Sequence, residues 1–384
     1  MKLSYQFFLI LSLSFNFAFG QENARQDDTA TTHQKDAIRQ DLFVSGTNGY
    51  HTYRIPALQI TTKGTVLAFC EGRKNSKEDT GDIDLLLKRS EDNGRSWSEA
   101  TLVYEVGGDA EVTIGNPCPI VDRQTGRIHL LFVQDYHQLF STYSDDDGLT
   151  WSAPREHTAI LDTWDYPLVL IATGPGHGIQ LSGGRLVAPV WICDRERKDR
   201  YENTTKDRIR SGMIYSDDSG QTWQTGGLVP VEIAMLHEAT IVEREDGSLL
   251  INMRARGAGH RAVATSTDGG LTWSDPVLDK QLPDPTVQGS LIRLNEEEIL
   301  FSNPAVSAAQ GVSGSTRHHL TLRLSTDGGN TWPHNRVITE GPSAYSDLAV
   351  TNDGEILCLY ENGKENYRAK ISLLITNRTW LVYD

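Results

Sequence analysis

The chain has 384 residues, with 36 Lys and Arg against 51 Asp and Glu and a formal net charge of −15 at neutral pH. So acidic a surface repels nucleic acid and anionic membranes at long range, and the length allows one large domain or two modest ones. Four cysteines, Cys70, Cys118, Cys193 and Cys358, are too few and too widely spaced for a disulfide scaffold or a zinc site. Each lies in an apolar stretch such as "VLAFCEG", so free buried thiols are expected, with one or two disulfides left open in an oxidising compartment.

Residues 1–20, "MKLSYQFFLILSLSFNFAFG", carry an early Lys, a Phe/Leu/Ile core and small residues at Ala18 and Gly20. That pattern is a secretory signal peptide, and its apolar core is short for a membrane span. Its removal takes away one Lys and leaves 35 basic against 51 acidic side chains, a net of −16. Residues 21–40 read as a polar leader. No later stretch is apolar enough to cross a bilayer, so an exported product, periplasmic or secreted, is expected, with no membrane span and as a monomer.

From residue 41 the sequence becomes a succession of short strand-like runs closed by turns, such as "TTKGTVLAFC", "RQTGRIHLLFV", "LSGGRLVAPVWI", "EDGSLLINMR" and "TNDGEILCLY". Threaded through them is one motif in five copies: "SEDNGRSW" at Ser90, "SDDDGLTW" at Ser144, "SDDSGQTW" at Ser216, "STDGGLTW" at Ser266 and "STDGGNTW" at Ser325. The copies start 54, 72, 50 and 59 residues apart, and residues 41–384 therefore have room for six such units. Units of this period, built from strands without a helical period, predict an all-β fold: a six-bladed β-propeller with four-stranded antiparallel blades over residues 41–384.

Asp side chains can accept backbone N–H bonds two residues on, Gly supplies positive φ, and Trp buries a large ring. Five copies of one catalytic acid would serve no chemistry; five copies of one turn make a scaffold. Asp92, Asp146, Asp218, Asp268 and Asp327 are therefore read as structural. The charged stretch 193–208 reads as a solvated loop that lengthens one spacing, and "GPGHG" at 174–178 as a tight loop at a pocket rim. Asn203 and Asn377 head Asn-x-Thr sequons. The scattered His residues offer no ligand spacing, so no metal or cofactor is expected.

Function has to come from residues outside the repeat. "YRIP" contains Arg54, "NMR" contains Arg254, and Arg317 opens "RHHLTLRLS". An Arg is most often a solvated surface charge. These three lie in or beside strand-like segments of different units, where a lone buried charge is costly, and together they could grip a carboxylate through two-point hydrogen bonds.

The repeat resembles the Asp box of sialidases and of other secreted propellers, and the three arginine motifs, in this order, resemble the arginine triad of the sialidases (neuraminidases). The resemblance runs from about "DLFVSG" at residue 41 to the end of the chain. It implies a clamp of Arg54, Arg254 and Arg317 on the carboxylate of sialic acid. It further implies Asp79 as acid/base, Tyr345 (in "GPSAYSDL") as nucleophile, Glu238 (in "HEATIV") as its proton partner and Glu361 (in "LCLYENG") as a brace for Arg54. Arg73 and Asn116 fall where the family contacts the sugar's 4-hydroxyl and neighbouring pocket groups. Asp82 and Asp84 lie close to Asp79; Asp84 opens a strand, whereas Asp79 lies on the loop before it, in the family's register. The implied partners are sialylated glycans. The implied activity is that of an exo-α-sialidase, with trans-sialidase or anhydro-product variants sharing every catalytic residue and a non-catalytic glycan-binding propeller as the third class.

Overall fold

Every one of the five repeated turns is entered from a strand, and the strands assemble into five antiparallel sheets. The computed structural model describes Met1 and residues 37–108, 110–195, 208–306 and 317–383. The expected signal peptide, most of the polar leader, the middle of the charged stretch 193–208 and Asn203 lie outside the described residues. Residues 35–384 form one compact unit.

Strand β1 (Ile38–Val44) comes first. The first sheet holds β2 (Thr52–Ile60), β3 (Val66–Arg73), β4 (Ile83–Ser90) and β5 (Thr101–Tyr104). The second holds β6 (Ile114–Val121), β7 (Ile128–Gln134), β8 (Gln138–Ser144) and β9 (Arg155–Glu156). A third, of five strands, holds β10 (Leu170–Thr173), β11 (Ile179–Gln180), β12 (Leu186–Cys193), β13 (Ile209–Ser216) and β14 (Gln224–Leu228). The fourth holds β15 (Leu236–Glu243), β16 (Leu249–Ala255), β17 (His260–Ser266) and β18 (Val277–Pro283). The last runs through β19 (Ser290–Arg293), β20 (Ile299–Pro304), β21 (His318–Ser325), β22 (His334–Val350), β23 (Ile356–Asn362) and β24 (Lys370–Thr376), and β1 closes it by pairing with β24.

The fold is all-β and propeller-like, but the expectation of six four-stranded blades is overturned: four blade-like sheets stand beside one sheet of seven strands. The cause is β22, whose 17 residues continue without a break. Its first half pairs with β21 as far as Pro342 and its second half pairs with β23 from Ser343 onward. The sequence reading divided residues 41–384 into six equal units and did not foresee one strand shared between two of them. Pro342, which has no N–H to donate, stands at the handover from one partner strand to the other.

The repeated turns are scaffold, as expected, with a different bonding pattern. In each, the Ser hydroxyl donates to the Asp at 2.7–2.8 Å and accepts from the Gly N–H. The Asp accepts from the backbone N–H four residues on, as from Ser96 and Thr272, rather than two. All five motif glycines that follow (Gly94, Gly148, Gly220, Gly270 and Gly329) have positive φ. At Gly270 an added Cβ would also collide with the Met213 sulfur at 2.1 Å. Held by these donors, and against the opposing pull of what burial they have, the Asp92, Asp146 and Asp268 carboxyls are lowered to about 2.

Four bulges matter more for function. The ladders slip between Arg54 and Ala57 in β2, Gly115 and Cys118 in β6, Leu236 and Ala239 in β15, and Ser343 and Ser346 in β22. Residues inside a bulge leave the pleat and can be re-aimed. Ile55 and Asn116 take φ of 59° and 57° there. Arg54, Asn116, Glu238 and Tyr345 all stand at these slips.

Beneath them, Asp347 crosses the centre of the fold. Its carboxylate accepts from the Leu58 N–H of β2 at 2.8 Å, the Ser290 hydroxyl of β19 at 2.7 Å and His177 Nδ1 at 2.8 Å. The "GPGHG" loop is thus a central loop and not a rim loop, with His177 only 5% exposed. All four cysteines are free and buried.

Candidate active site

Bulged strands from different sheets bring one group of expected residues together. Tyr345 donates its phenolic proton to Glu238 Oε1, and Arg254 Nη1 donates to Glu238 Oε2 at 2.5 Å and lies 3.3 Å from the phenol oxygen. Burial and the adjoining Glu238 charge push the Tyr345 phenol well above its ordinary value, despite the pull of Arg254, Arg317 and Arg54. Burial alone would raise Glu238. Arg254 first, then His237 and the Tyr345 hydrogen bond, overcome it and hold the carboxyl down to about 2. The pair is therefore a neutral phenol donating to an ionised carboxylate.

Arg54 projects from the β2 bulge into the same place. Its Nε and Nη2 meet Glu361 Oε1 and Oε2 at 2.9 and 3.0 Å. Burial disfavours this guanidinium, but Glu361 and Asp79 carry it well above its ordinary value. Its Nη1 donates to Asp79 at 3.1 Å, and its guanidinium carbon lies 4.9 Å from the centre of the Tyr345 ring. Arg317 faces the same ring at 5.9 Å and donates through Nη2 to the Thr286 carbonyl at 3.0 Å. Arg323 is separate: it is buried in β21 on Asn303 Oδ1 at 2.8 Å.

Asp79 lies on the loop before β4 with its side chain 35% exposed. Asp82 and Asp84 instead face Lys74, and Asp84 also accepts from Tyr50. Asp79 is the one of the three that meets Arg54 and Arg73. Arg73 is fully buried, holding Glu71 through Nε and Nη2 and Asp79 through Nη1 at 2.8 Å. In this structure it serves as a brace for Asp79. Asn116 donates its N–H to Glu71 Oε1 at 2.9 Å, while its side-chain Oδ1 is buried without a partner among the described residues.

Residues 64–358 match the family of BNR repeat-like domains. A sialidase of Micromonospora viridifaciens is 34% identical over 357 residues, 84% of this chain and 52% of the relative, so the chain spans about half of that protein's length. An exo-alpha-sialidase of Aspergillus fumigatus is 32% identical over 84% of this chain and 83% of its own length. The chain belongs to the sialidase family. Among solved structures, the Hadza microbial sialidase Hz136 superposes with a TM-score of 0.78 at 29% identity, covering 90% of this chain and 69% of that one.

Sequence reasoning missed residues around this sialidase-family site that carry no motif. Tyr367 lies on a short turn after β23, its hydroxyl 3.4 Å from Arg317 Nη1 and its ring 5.5 Å from both Arg54 and Arg317. Glu71 links Arg73 to the Asn116 backbone. Arg261 and Asp284, 3.7 Å apart and fully enclosed, lie behind Arg254. Only "CEGR" gave a usable signal, because a Glu two residues before an Arg on a buried strand must point to the same face. Arg54, Arg73, Arg254, Arg261 and Arg317 stand against Glu71, Asp79, Glu238, Asp284 and Glu361, so the site is near charge balance before any anion enters.

Proposed function

We propose that the protein is an exo-α-sialidase that removes terminal sialic acids from glycans with retention, through a covalent intermediate on Tyr345. One observation carries this reading: a buried neutral tyrosine hydrogen-bonded to an ionised glutamate, with Arg54, Arg254 and Arg317 disposed around it.

Most glycosidases use two carboxyl groups, and sialidases with a tyrosine nucleophile depart from that pattern. The reason is electrostatic. Sialic acid bears a carboxylate on the carbon to be attacked, and a second carboxylate about 4 Å away would be repelled by roughly 4 kcal/mol at an effective dielectric near 20. That is a rate loss of several hundred- to about a thousandfold. A phenol approaches without it.

The substrate carboxylate would meet Arg254, Arg317 and the Nη1 of Arg54, the Arg54 nitrogen that Glu361 does not hold. Taking that nitrogen displaces Asp79 from Arg54, and the carboxylate, 35% exposed and now beside a second anion, takes up a proton from solvent and can turn toward the leaving oxygen as an acid. As Tyr345 Oη bonds to the anomeric carbon, its proton passes to Glu238, and Asp79 protonates the departing oxygen as the glycosidic bond breaks. In the second step Asp79 takes a proton from water, the water oxygen bonds to the anomeric carbon, and the Tyr345–carbon bond breaks. Glu238 returns the proton to the phenolate. Two inversions leave the configuration unchanged.

The long-range field of an acidic chain does not oppose binding here. At physiological salt it decays over about 8 Å, and the arginines act inside that distance. We read the protein as exported, on the signal-like pattern of residues 1–20. Among the described residues no helix is long and apolar enough to cross a membrane.

Incubation of the full chain with a fluorogenic sialoside, with and without a galactoside acceptor, tests the reading. Release of free sialic acid that the acceptor does not divert supports hydrolysis. Acceptor-dependent sialylgalactoside would make the protein a transferase, and no release at all would make it a binding propeller.

A further inference from the structure

Strand β22 changes partner at Pro342, and past that point one of its edges has no neighbouring strand. The Ser343 N–H still reaches the Arg317 carbonyl on the β21 side at 2.9 Å, and from Ser346 to Val350 the strand pairs with β23. Ser346, Asp347 and Leu348 are buried, so the backbone groups on their other edge need partners from elsewhere.

Side chains from the lead-in to β19 supply them. Gln288 Oε1 accepts from the Ser346 N–H at 3.1 Å, and its Nε2 donates to the Ser346 carbonyl at 3.0 Å. Two residues on, Ser290 Oγ accepts from the Leu348 N–H at 3.1 Å. A side-chain amide thus stands where a strand's backbone amide would. Nε2 also donates to the Pro175 carbonyl at 3.2 Å, and two carbonyl partners fix which end of the amide is the nitrogen. Gln288 is 1% exposed.

Gln288 is itself held in place. The neighbouring Val287 N–H donates to Asp284 Oδ1 at 3.3 Å, the Val287 carbonyl accepts from Arg261 Nη1, and the Val287 side chain clusters with Ile55, Ala344 and Tyr345. One residue further back, the Thr286 carbonyl takes Arg317 Nη2 at 3.0 Å. Thr286 does so at a φ of 64°, where a β-branched residue is an outlier. The buried Arg261 and Asp284 therefore anchor a short segment that reaches the nucleophile's peptide at one residue and the clamp at another.

We propose that Gln288 is a positioning residue for the Tyr345 nucleophile. The ladder to β23 slips between Ser343 and Ser346, so strand pairing does not fix Tyr345, and its own N–H is held by a side chain, Glu361 Oε2 at 3.3 Å. Glu361 holds the peptide before Tyr345 and Gln288 the peptide after it. Together they set the direction in which the phenol leaves the bulge toward Glu238. The inference rests on Tyr345 as nucleophile, and a displacement of about 1 Å at a reacting group can cost on the order of a hundredfold in rate.

The test compares the wild type with Gln288→Met, Gln288→Glu and Ser290→Ala, by fluorogenic sialoside kinetics and by NMR of tyrosine isotope-labelled at Cζ. The Tyr345 signal is the one that Tyr345→Phe removes. Gln288→Met keeps the length of the side chain and gives up its hydrogen bonds to Ser346 and Pro175. Its kcat should fall about ten- to a hundredfold with KM little changed, and the Tyr345 signal should shift as the bond to Glu238 is disturbed. Ser290→Ala takes a partner from the same edge without touching the peptides beside Tyr345. It should lower Tm and leave kcat and the Tyr345 signal as in the wild type. Gln288→Glu, which keeps the acceptor and loses the amide donor, should fall between, and it carries the test if Gln288→Met does not fold. A kcat within about twofold of the wild type, an unmoved Tyr345 signal, or equal losses in Ser290→Ala would each overturn the positioning role. A wild type that turns over no sialoside would overturn the hydrolase reading alone, and the Tyr345 signal would still decide the role of Gln288.

Discussion

Glu361 ties Arg54 to Tyr345. One carboxylate holds the guanidinium at 2.9 and 3.0 Å and also accepts from the Ile55 N–H at 3.0 Å and the Tyr345 N–H at 3.3 Å. The arginine that would grip the substrate and the phenol that would attack it are therefore positioned by one buried group, across the closure between β2 and β23. Glu361→Ala strands a buried guanidinium, and breaking such a pair costs about 3–5 kcal/mol. A clear fall in Tm is expected, with kcat/KM for a sialoside falling in the fraction that stays folded. A fall in neither would mean that the ion pair does not organise the site. Glu361→Gln, which keeps the shape, should fold better than Glu361→Ala while losing activity.

The repeated aspartates should behave in the opposite way. Asp268 accepts from the Leu271 and Thr272 N–H groups at 3.0 Å and from the Thr272 hydroxyl at 2.6 Å, far in sequence and sheet position from Tyr345. Asp268→Ala should lower stability by roughly 1–2 kcal/mol, as loss of a capping side chain does, and leave kcat unchanged. A stable but inactive variant would contradict the scaffold role.

The contrast between these residues explains what the sequence made legible. Asp268 is visible because its turn is written five times, and a local turn needs only neighbouring residues. Arg54, Glu361 and Tyr345 are visible through family motifs, although no spacing rule joins residue 54 to residue 361. The strand order was less legible. Nothing local announces that β22 runs straight through Gly341 and Pro342; it does so because β21 and β23 supply partners on either side of the handover. Tyr367 and Asp284 were invisible for a related reason: their roles depend on which bulges aim at them, and a bulge leaves little trace in a hydrophobic pattern.

Arg317→Lys tests the clamp. Arg317 meets the Thr286 carbonyl and the Tyr367 hydroxyl through two different nitrogens, a fork that a lysine cannot reproduce. Loss of one charge-assisted bond to the substrate costs roughly 1.5–3 kcal/mol in kcat/KM. A variant with near-normal kcat/KM would place Arg317 outside the clamp, and Arg323 cannot replace it, since that side chain is buried on Asn303.

Glu238 sets a pH expectation. Its carboxyl is lowered to about 2 from an ordinary 4.5, so its stabilising contribution is complete above 4.5 and is lost as pH falls toward 2. Melting curves of the wild type and of Glu238→Gln should therefore converge as pH drops through that window, because the variant lacks the contribution throughout. Curves that keep a constant separation from neutrality to pH 2 would show that Arg254 does not hold this carboxylate ionised.

The nucleophile is tested by removing one atom. Tyr345→Phe keeps the ring between Arg54 and Arg317 and takes away only the oxygen that donates to Glu238. Fold and sugar binding should persist, and turnover of natural sialosides should drop by several orders of magnitude, because no other nucleophile replaces the phenol at the anomeric carbon. Glu238 would then face that carbon directly, so slight turnover of substrates with very good leaving groups is consistent with the assignment. In the intact protein, a fluorinated sialosyl donor that slows the second step should leave one sugar attached, and peptide mapping should place its mass on "GPSAYSDL". A label on Glu238 or Asp79 instead would refute the tyrosine mechanism while leaving the sialidase family membership untouched.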